Sequence, residues 1–330
     1  MPPIARAHSE YLERLQTQLE AHLRRSIPAG EPELLYAPAH YVLEAGGKRL
    51  RPLLLLLACE ACGGRAEQAL PAAVAMELFH TFTLVHDDIM DRSPTRRGRP
   101  TVHVRWGLEA AILTGDLLMG TSYFELSRVP ETDIRPLLAC LHEVMLRLCE
   151  GQTLDKQFET RQDVSPHEYW DMVDRKTGAL LAGALEIGAR LGSASEAQIV
   201  LFRAIGRALG RAFQLQDDWL DLAADPENWG KPIGQDVLEG KRTYLLLSAL
   251  ERAAEEADRR LLRRVLARQA TPEDVPRVRA LYERLGVFEE VRSLTIGYYA
   301  EAQSAVRTLP PSQASAALEA LLDSLVGRVR

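Results

Sequence analysis

Apolar residues recur at three- and four-residue spacing along almost the whole chain of 330 residues. The pattern is clearest in two runs, EQALPAAVAMELFHTFTLVHDDIMD at residues 67–91 and EAQIVLFRAIGRALGRAFQLQDDWLDL at residues 196–222. This spacing is typical of α-helices, and no run shows the alternation of apolar and polar residues that marks β-strands. Several of these helices are apolar on more than one face, which is typical of the interior of a large bundle. The sequence therefore predicts an all-α protein.

Helix-breaking residues interrupt this pattern, but no linker divides the chain. The glycine pairs at 46–47 and 63–64 and the segments 93–100 and 225–234 are expected helix ends. No Pro/Gly/Ser-rich linker, low-complexity tract or fixed-period repeat separates two units. We therefore expect residues 1–330 to form one large domain.

Charge and hydropathy exclude two broad classes of function. The net charge is −6, so we do not expect the concentrated basic stripe of a nucleic-acid-binding protein. No apolar run approaches the roughly 20 residues that a membrane-spanning helix needs, and the N-terminal stretch lacks the apolar centre of a signal peptide. We therefore expect a cytoplasmic protein without a membrane span.

Cys59 and Cys62 have the spacing of a zinc or redox pair, but they lie in an apolar helical run and are expected to be core residues.

Two short acidic clusters end the two longest apolar runs. HDDIMD contains Asp87, Asp88 and Asp91, and QDDWLD about 130 residues later repeats the spacing with Asp217, Asp218 and Asp221. Helical residues four apart share a face, so the first and last carboxylates of each cluster point together and repel unless a cation is present. A single cluster is also compatible with a solvated acidic face. Two identical clusters indicate oxygen ligands for a hard cation such as magnesium, which shares its coordination between carboxylates and phosphates.

Basic residues are grouped in short stretches of the sequence. GGKRLRP at 46–52 places Lys48 and Arg51 beside Gly47, where backbone amides and cations can approach an anion together. Arg96 and Arg97 follow the first acidic cluster, and guanidinium groups are preferred partners of phosphate oxygens. Either stretch alone could also be a solvated basic loop. Three further cations are Lys176, Lys231 and Lys241.

The ordered set of motifs resembles the trans-prenyl diphosphate synthase family over nearly the whole chain. The motifs are GGKRLRP, HDDIMDRSPTRRGRPTVH, GD at 115–116, GQTLD at 151–155, KTG at 176–178, FQLQDDWLDL, GKPIGQD at 230–236 and EGKRT at 239–243. The resemblance implies a helical bundle around a central cleft and a homodimer. It also implies that isopentenyl diphosphate is added to an allylic diphosphate, with three Mg²⁺ ions bridging the substrate diphosphate.

The same resemblance implies roles for individual residues. The metal ligands would be Asp87, Asp88, Asp91, Asp217, Asp218 and Asp221, with Asp87, Asp91 and Asp217 as the preferred direct contacts. The allylic diphosphate would be held by Arg96, Lys176 and Lys231, with help from Lys241. Isopentenyl diphosphate would be bound by Gly47, Lys48, Arg51, His80 and Arg97. Thr177 and Gln214 resemble polar groups near the developing cation, Gln152 and Asp155 fall in a GQxxD element, and Asp236 would support the second cluster.

The chemistry that this family performs fits the residues physically. Diphosphate is a poor leaving group until cations neutralise the negative charge that develops on it. Its departure leaves an allylic carbocation, which the double bond of isopentenyl diphosphate attacks before a proton is lost, with released diphosphate as a suitable base. Because the carbocation would react with water, the cleft must be dry beyond its acidic rim.

Product length depends by family analogy on the fifth and fourth residues before Asp87, which are Phe82 and Thr83 here. Similar synthases with long products have small residues at both positions. An aromatic residue at the fifth position is therefore expected to close the bottom of the pocket and stop the growing isoprenoid tail. This favours geranylgeranyl diphosphate, with farnesyl diphosphate as the alternative. An ideal helical wheel turns Phe82 away from the aspartates, so a plain core aromatic is also possible. A terpene cyclase and a non-catalytic partner subunit are remoter alternatives, since both aspartate clusters and an isopentenyl diphosphate site are present.

Overall fold

Helices make up nearly all of the structure, a computed structural model that describes residues 6–130, 133–223 and 233–326. The elements of the first half are α1 Arg6–Ser26, α2 Glu33–Glu44, α3 Leu50–Ala61, α4 Ala66–Met90, β1 Thr95–Arg96, β2 Arg99–Pro100, α5 Val102–Trp106, α6 Leu108–Ser127 and α7 Arg135–Phe158. Those of the second half are α8 Pro166–Val173, α9 Ala179–Leu191, α10 Glu196–Ala223, α11 Gln235–Glu239, α12 Tyr244–Arg252, α13 Glu256–Leu266, α14 Asp274–Arg284, α15 Val287–Val306 and α16 Gln313–Val326. The all-α prediction is confirmed.

The centre of the bundle is formed by α3, α4, α9 and α10. α4 packs against α3 and α6, while α9 lies between α3 and α10. Residues 53–57 of α3 are all buried, as expected of a helix that is apolar on every face. α10 joins two of the buried apolar clusters, because Leu209 and Ala212 belong to one cluster and Leu215 and Leu222 to the other.

Close helix approach in this centre depends on glycine. A Cβ atom placed on Gly188 of α9 would lie 2.1 Å from the carbonyl oxygen of Leu55 in α3, and one on Gly206 of α10 would lie 2.3 Å from the Cα atom of Ala182 in α9. Any larger residue at these two positions would push the helices apart. The glycines therefore set the spacing of the three helices that carry or support the second acidic cluster.

The prediction that no apolar run approaches membrane-spanning length is wrong for α4 by length and composition. α4 has 25 residues, and it is the one helix in the described part of the chain that is long and apolar enough to cross a membrane. However, 72% of its most apolar window is buried inside the fold. α4 is therefore a core helix in this structure, with its apolar surface covered by neighbouring helices.

A small β-hairpin forms in the segment where the sequence predicted a helix break. β1 pairs antiparallel with β2, with Arg96 opposite Arg99. The turn residues Arg97 and Gly98 have φ angles of 52° and 73°, and positive φ at both positions is the conformation that matches the twist of two paired strands. The hairpin directly follows the first acidic cluster, and its Arg96 pairs with Asp88 of that cluster.

Candidate active site

Both aspartate clusters open on one cavity of about 350 Å³. Asp87 and Asp91 reach it from the C-terminal end of α4, whereas Asp217, Asp218 and Asp221 reach it from the last turns of α10. α9 contacts both helices and fixes their relative position. The fold thus brings together carboxylates that are about 130 residues apart in sequence.

Asp87 lies next to a lysine from the π-helical turn Asp174–Gly178, which joins α8 to α9. The Lys176 Nζ atom lies 3.7 Å from Asp87 Oδ1 and 2.6 Å from Asp155 Oδ2. Burial raises the pKa of the Asp87 carboxyl above its ordinary value, against the opposing effect of the Lys176 ammonium. Burial also acts to raise the pKa of Asp155, but Lys176 outweighs it and the pKa is lowered. A cation is therefore held between two carboxylates at the predicted diphosphate site.

The π-helical turn depends on close contact with α7. A Cβ atom on Gly151 would lie 2.4 Å from the backbone nitrogen of Lys176, so only glycine allows the two segments to approach this closely. The turn also directs the Thr177 hydroxyl to Gln214, whose Oε1 atom is 3.1 Å away. Such π-helical turns are frequent at functional sites. This one brings Lys176 and Thr177 to the cavity edge, beside α10.

Asp88 differs from the other aspartates of its cluster because it faces the hairpin and does not line the cavity. Its two carboxylate oxygens lie 2.8 and 2.9 Å from Arg96 Nε, and the residue is only 5% exposed. Arg96 Nη2 also lies 3.9 Å from Asp87 Oδ2. The structure therefore separates Asp88, a predicted metal ligand, from Asp87 and Asp91, and uses it to hold Arg96 beside Asp87.

Asp91 is paired with a lysine that the sequence analysis missed. The Lys156 ammonium on α7 donates a short hydrogen bond to Asp91 Oδ1. Lys156 follows Asp155 in the sequence, so its place beside the GQTLD motif was the only signal for it. The first cluster thus has three different basic partners: Lys176, Arg96 and Lys156.

Asp218 in the second cluster is held from both sides by buried donors. The Tyr169 hydroxyl donates to Asp218 Oδ2 at 2.8 Å, and Gln214 Nε2 donates to Asp218 Oδ1 at 2.9 Å. Burial raises the pKa of Asp218 to about 6, although both hydrogen bonds act to lower it. Tyr169 lies 49 residues away along the chain, and no local pattern predicted its role.

Asp221 is supported by the segment that follows the second cluster. Its Oδ2 atom accepts a hydrogen bond of 3.1 Å from the backbone nitrogen of Asp236. Burial, reinforced by the Asp236 carboxylate, raises the pKa of Asp221 to about 7. Lys241 Nζ lies 3.4 Å from Asp236 Oδ1, and that carboxylate is the main cause of the raised pKa of the partly exposed lysine. Lys231, predicted to bind the allylic diphosphate, lies outside the described residues.

A second basic group lies on α3 and α4. Arg51 Nη1 lies 3.0 Å from His80 Nε2. Burial lowers the pKa of His80 well below its ordinary value, so the imidazole is neutral, and its Nδ1 carries the proton if Arg51 donates to Nε2. Arg51 Nε and His80 Nδ1 are buried without a hydrogen-bond partner among the described residues. Buried donors of this kind are rarely left unpaired, so they fit an anionic ligand.

Gly47 and Arg97 complete this basic group. A Cβ atom on Gly47 would lie 2.9 Å from both terminal nitrogens of Arg97, and the φ of +147° at Gly47 also favours glycine. The guanidinium of Arg97 therefore rests on the backbone just before α3. Lys48, the next residue, is exposed. Arg49, which separates Lys48 from Arg51, is instead buried and paired with Glu20 and Glu77.

Phe82 and Thr83, the predicted floor residues, lie on α4 before the first cluster. Phe82 is 5% exposed, and its ring makes edge contacts with Phe79 and His86 at centroid distances of 4.8 and 5.7 Å. Thr83 donates from its hydroxyl to the carbonyl oxygen of His80 at 2.7 Å. Neither residue lines the 350 Å³ cavity between the aspartates, so the floor role stays a prediction.

The donor set fits a hard divalent cation shared with phosphate oxygens. Among the described residues no group of three His, Cys, Asp or Glu side chains forms a ready-made metal site. Five carboxylates nevertheless line the cavity from the two clusters, and Mg²⁺ is usually bound by one or two carboxylates together with substrate phosphates. Asp87, Asp91 and Asp217, the preferred direct ligands of the sequence analysis, all line the cavity, and their role as metal ligands stays a prediction.

Comparison with known proteins decides the family. The model of the polyprenyl synthetase family matches residues 32–285. The chain belongs to the polyprenyl synthetase family. It is 38% identical to a short chain isoprenyl diphosphate synthase of Methanothermobacter thermautotrophicus, over 97% of this chain and 98% of that protein. It is 39% identical to a geranylgeranyl diphosphate synthase of Methanosarcina mazei, over 94% of this chain and 95% of that protein.

Among solved structures, the fold is similar to that of geranylgeranyl pyrophosphate synthetase from Pyrococcus horikoshii. The TM-score is 0.90 at 36% sequence identity, with 96% of this chain and 98% of the other covered. As a polyprenyl synthetase, the chain is a trans-prenyltransferase. Enzymes of this family are generally magnesium-dependent and act on isoprenoid diphosphates.

Proposed function

We propose that this enzyme condenses isopentenyl diphosphate with dimethylallyl, geranyl and farnesyl diphosphates and releases geranylgeranyl diphosphate as its main product. The observation that carries the proposal is the single cavity between the two aspartate clusters, with a separate basic group on α3 and α4. Two substrates that both carry diphosphate require two anion sites of this kind. One would be bound through magnesium and the other directly by cations.

The allylic diphosphate is assigned to the cavity between the clusters. Asp87, Asp91 and Asp217 would hold Mg²⁺, which when bound neutralises the diphosphate and makes it a better leaving group. Lys176 and Arg96 already lie beside Asp87, at 3.7 and 3.9 Å. Their positive charges are therefore positioned where negative charge develops on the departing oxygens. Lys231 and Lys241 are proposed to assist, and three Mg²⁺ ions remain the number that we expect.

Isopentenyl diphosphate is assigned to the basic group. Arg51 Nε and His80 Nδ1 are buried donors without partners in the described chain, and phosphate oxygens would pair with them. Gly47 lets Arg97 lie against the backbone, and the exposed Lys48 would fold over the ligand. Isopentenyl diphosphate would keep its diphosphate, because its carbon–oxygen bond is not allylic and its loss would leave no allylic cation.

The polar groups near the carbocation are assigned to Thr177 and Gln214. Their side chains are hydrogen-bonded at 3.1 Å, and Gln214 in turn positions Asp218. Oxygen dipoles at this place would stabilise positive charge without acting as a base. The proton lost at the end would pass to the released diphosphate, so no side-chain base is assigned.

Product length is assigned to Phe82, with Thr83 beside it. The ring is fixed between Phe79 and His86, so it could stop a growing tail without changing rotamer. The relative of similar length in Methanosarcina mazei is named for geranylgeranyl diphosphate, which supports the same product. Farnesyl diphosphate is the alternative.

A homodimer, one domain and a cytoplasmic location complete the proposal. α6 exposes four large apolar residues, Leu108, Ile112, Leu113 and Phe124. A second copy of the chain would cover this face, since large exposed apolar patches mark interaction surfaces. Sedimentation analysis tests this, because Phe124→Glu should convert a dimer to a monomer.

Two further observations support the rest of the proposal. Residues of α10 belong to both large buried clusters, which supports one domain. The apolar surface of α4 is mostly buried inside the fold, which supports a protein without a membrane span.

The enzyme assay tests the whole proposal. Purified protein is incubated with Mg²⁺, labelled isopentenyl diphosphate and each allylic primer from dimethylallyl to farnesyl diphosphate, and the products are separated by chromatography. We expect extension of all three primers and accumulation of the twenty-carbon diphosphate. If none of the three primers is extended, the result would favour a non-catalytic partner subunit. Cyclic hydrocarbon products would favour a terpene cyclase.

A further inference from the structure

Lys156 of α7 contacts Asp91 of the first aspartate cluster and does not itself line the cavity. Its ammonium donates to Asp91 Oδ1 in a short hydrogen bond and lies 3.3 Å from the carbonyl oxygen of Met90. The two side chains are 30% and 38% exposed, so solvent and ions can reach both. Asp91 is one of the carboxylates that line the cavity.

A second carboxylate shares the same ammonium. Glu159, the residue just after α7, has its Oε1 atom 2.8 Å from Lys156 Nζ. The other oxygen of Glu159 lies 2.9 Å from Arg268 Nη2, which belongs to the turn after α13. A chain of ion pairs, Asp91–Lys156–Glu159–Arg268, therefore runs along the rim of the cavity. Glu159 and Arg268 both line that cavity.

We propose that Lys156 is an internal counter-cation of Asp91, and that it sets the affinity of the first aspartate cluster for divalent cations by competing for this carboxylate. The inference rests on the proposed function, since it assumes that Asp91 binds metal. Lys156 is thereby a positioning and tuning residue that need not touch substrate.

Competition follows from the geometry of the hydrogen bond. An ammonium in hydrogen-bond contact with Asp91 Oδ1 occupies the place where a cation would approach that oxygen, and like charges at such distances repel. A divalent cation can bind there only after Lys156 moves away. An ion pair of this exposure is worth a factor of about 1.5 to 5 in an equilibrium constant, and the repulsion adds to it.

Glu159 weakens the competition between Lys156 and the metal ion. The same ammonium is bonded to Asp91 and to Glu159, so its attraction to Asp91 alone is reduced. Neutral glutamine at position 159 would leave Lys156 bound to Asp91 alone and strengthen the competitor. Removing the charge of Lys156 should therefore raise the metal affinity, whereas removing the charge of Glu159 should lower it.

The experiment measures metal binding without catalysis. Mn²⁺ is titrated into the full-length protein, and free Mn²⁺ is counted from its electron paramagnetic resonance signal. We expect Lys156→Met to bind Mn²⁺ at least about threefold more tightly than the wild type. The matched control is Arg147→Met, which removes one positive charge from the same helix, where Arg147 pairs with Glu150 at 3.4 Å, and should leave the affinity unchanged.

A double-mutant cycle separates Lys156 from general charge effects. Glu159→Gln should weaken Mn²⁺ binding in the wild-type background and have a clearly smaller effect when Lys156→Met is already present. Equal affinities in the wild type and Lys156→Met, or equal tightening in Arg147→Met, overturn the inference, as does the absence of measurable binding in all variants. The proposed function is judged separately by primer extension, which would still proceed if only the role of Lys156 were wrong.

Discussion

Replacement of Tyr169 by phenylalanine tests how the second aspartate cluster is held. The tyrosine is 1% exposed and donates to Asp218 Oδ2 at 2.8 Å. Phenylalanine keeps the ring and its packing but removes the hydroxyl. Among the described residues, Asp218 would retain the hydrogen bond from Gln214 Nε2, and its other oxygen would lose the donor from Tyr169.

The expected magnitude follows from the kind of hydrogen bond. A hydrogen bond to a charged group contributes about 1.5–3 kcal/mol, and one pKa unit corresponds to about 1.4 kcal/mol. Loss of the hydroxyl should therefore raise the pKa of Asp218 by about one to two units above its value of about 6. At pH 7 the carboxyl would then carry a proton in about half of the molecules or more. Mn²⁺ and Mg²⁺ binding should weaken at pH 7 and recover towards pH 9.

The assay compares Tyr169→Phe with a matched control, a tyrosine of α15 that also donates to α10. Tyr299 is also fully buried and donates to a side chain of α10, but its acceptor is the neutral Gln216 Oε1 at 3.1 Å. Tyr299→Phe should lower the melting temperature slightly and leave the pH profile of metal binding unchanged. Tyr169→Phe should melt a few degrees lower, with a larger loss at pH 8 than at pH 5.5. The reasoning is refuted if Tyr169→Phe has the wild-type pH profile of metal binding.

Three further predictions address product length, pH and the isopentenyl diphosphate site. Phe82→Ala should shift the products beyond twenty carbons in the chromatographic assay, and an unchanged product distribution would show that Phe82 does not limit product length. Without divalent metal, the melting temperature should fall as the pH rises from 5 to 8. The pKa of Asp221 is raised to about 7 in the folded state, so the folded protein keeps a proton that the unfolded chain releases. This stabilisation is complete below about pH 4 and is lost as the pH rises through 7. Asp221→Asn should make the melting temperature depend less on pH, and an equal slope in the variant would contradict this. Arg51→Met should raise the KM for isopentenyl diphosphate about 10- to 100-fold through loss of charge-assisted hydrogen bonds, with the KM for the allylic primer as the control that must not change.

The helical class and the two acidic clusters were accessible from the sequence because both are local properties. Apolar spacing of three and four residues predicts a helix wherever it occurs, and the DDxxD spacing puts Asp87 and Asp91 on one helix face. The prediction that no apolar run approaches membrane-spanning length was wrong for α4 on length and composition, which the sequence itself shows. The sequence does not show what covers such a helix. Burial of that helix depends on α3 and α6, which are packed against it only in the fold.

Motif order gave roles for the basic residues by resemblance, but it did not give their partners. Arg96, assigned to the allylic diphosphate, has its guanidinium bound by Asp88, one of the aspartates predicted as metal ligands. The partners of Asp91 and Asp218, Lys156 and Tyr169, come from helices that are 65 and 49 residues away in the sequence. No pattern within a helix carries that information.

What the sequence determined by itself was therefore the kind of chemistry: helices, carboxylates at their ends, and cations in separate short segments. Only the tertiary structure decided which carboxylate faces the cavity and which is turned into the protein. The physical reason is that a carboxylate's role depends on its burial and its donors, and both are set by neighbouring helices. Glycines such as Gly151 and Gly188 allow those helices to approach closely enough for the contacts to form.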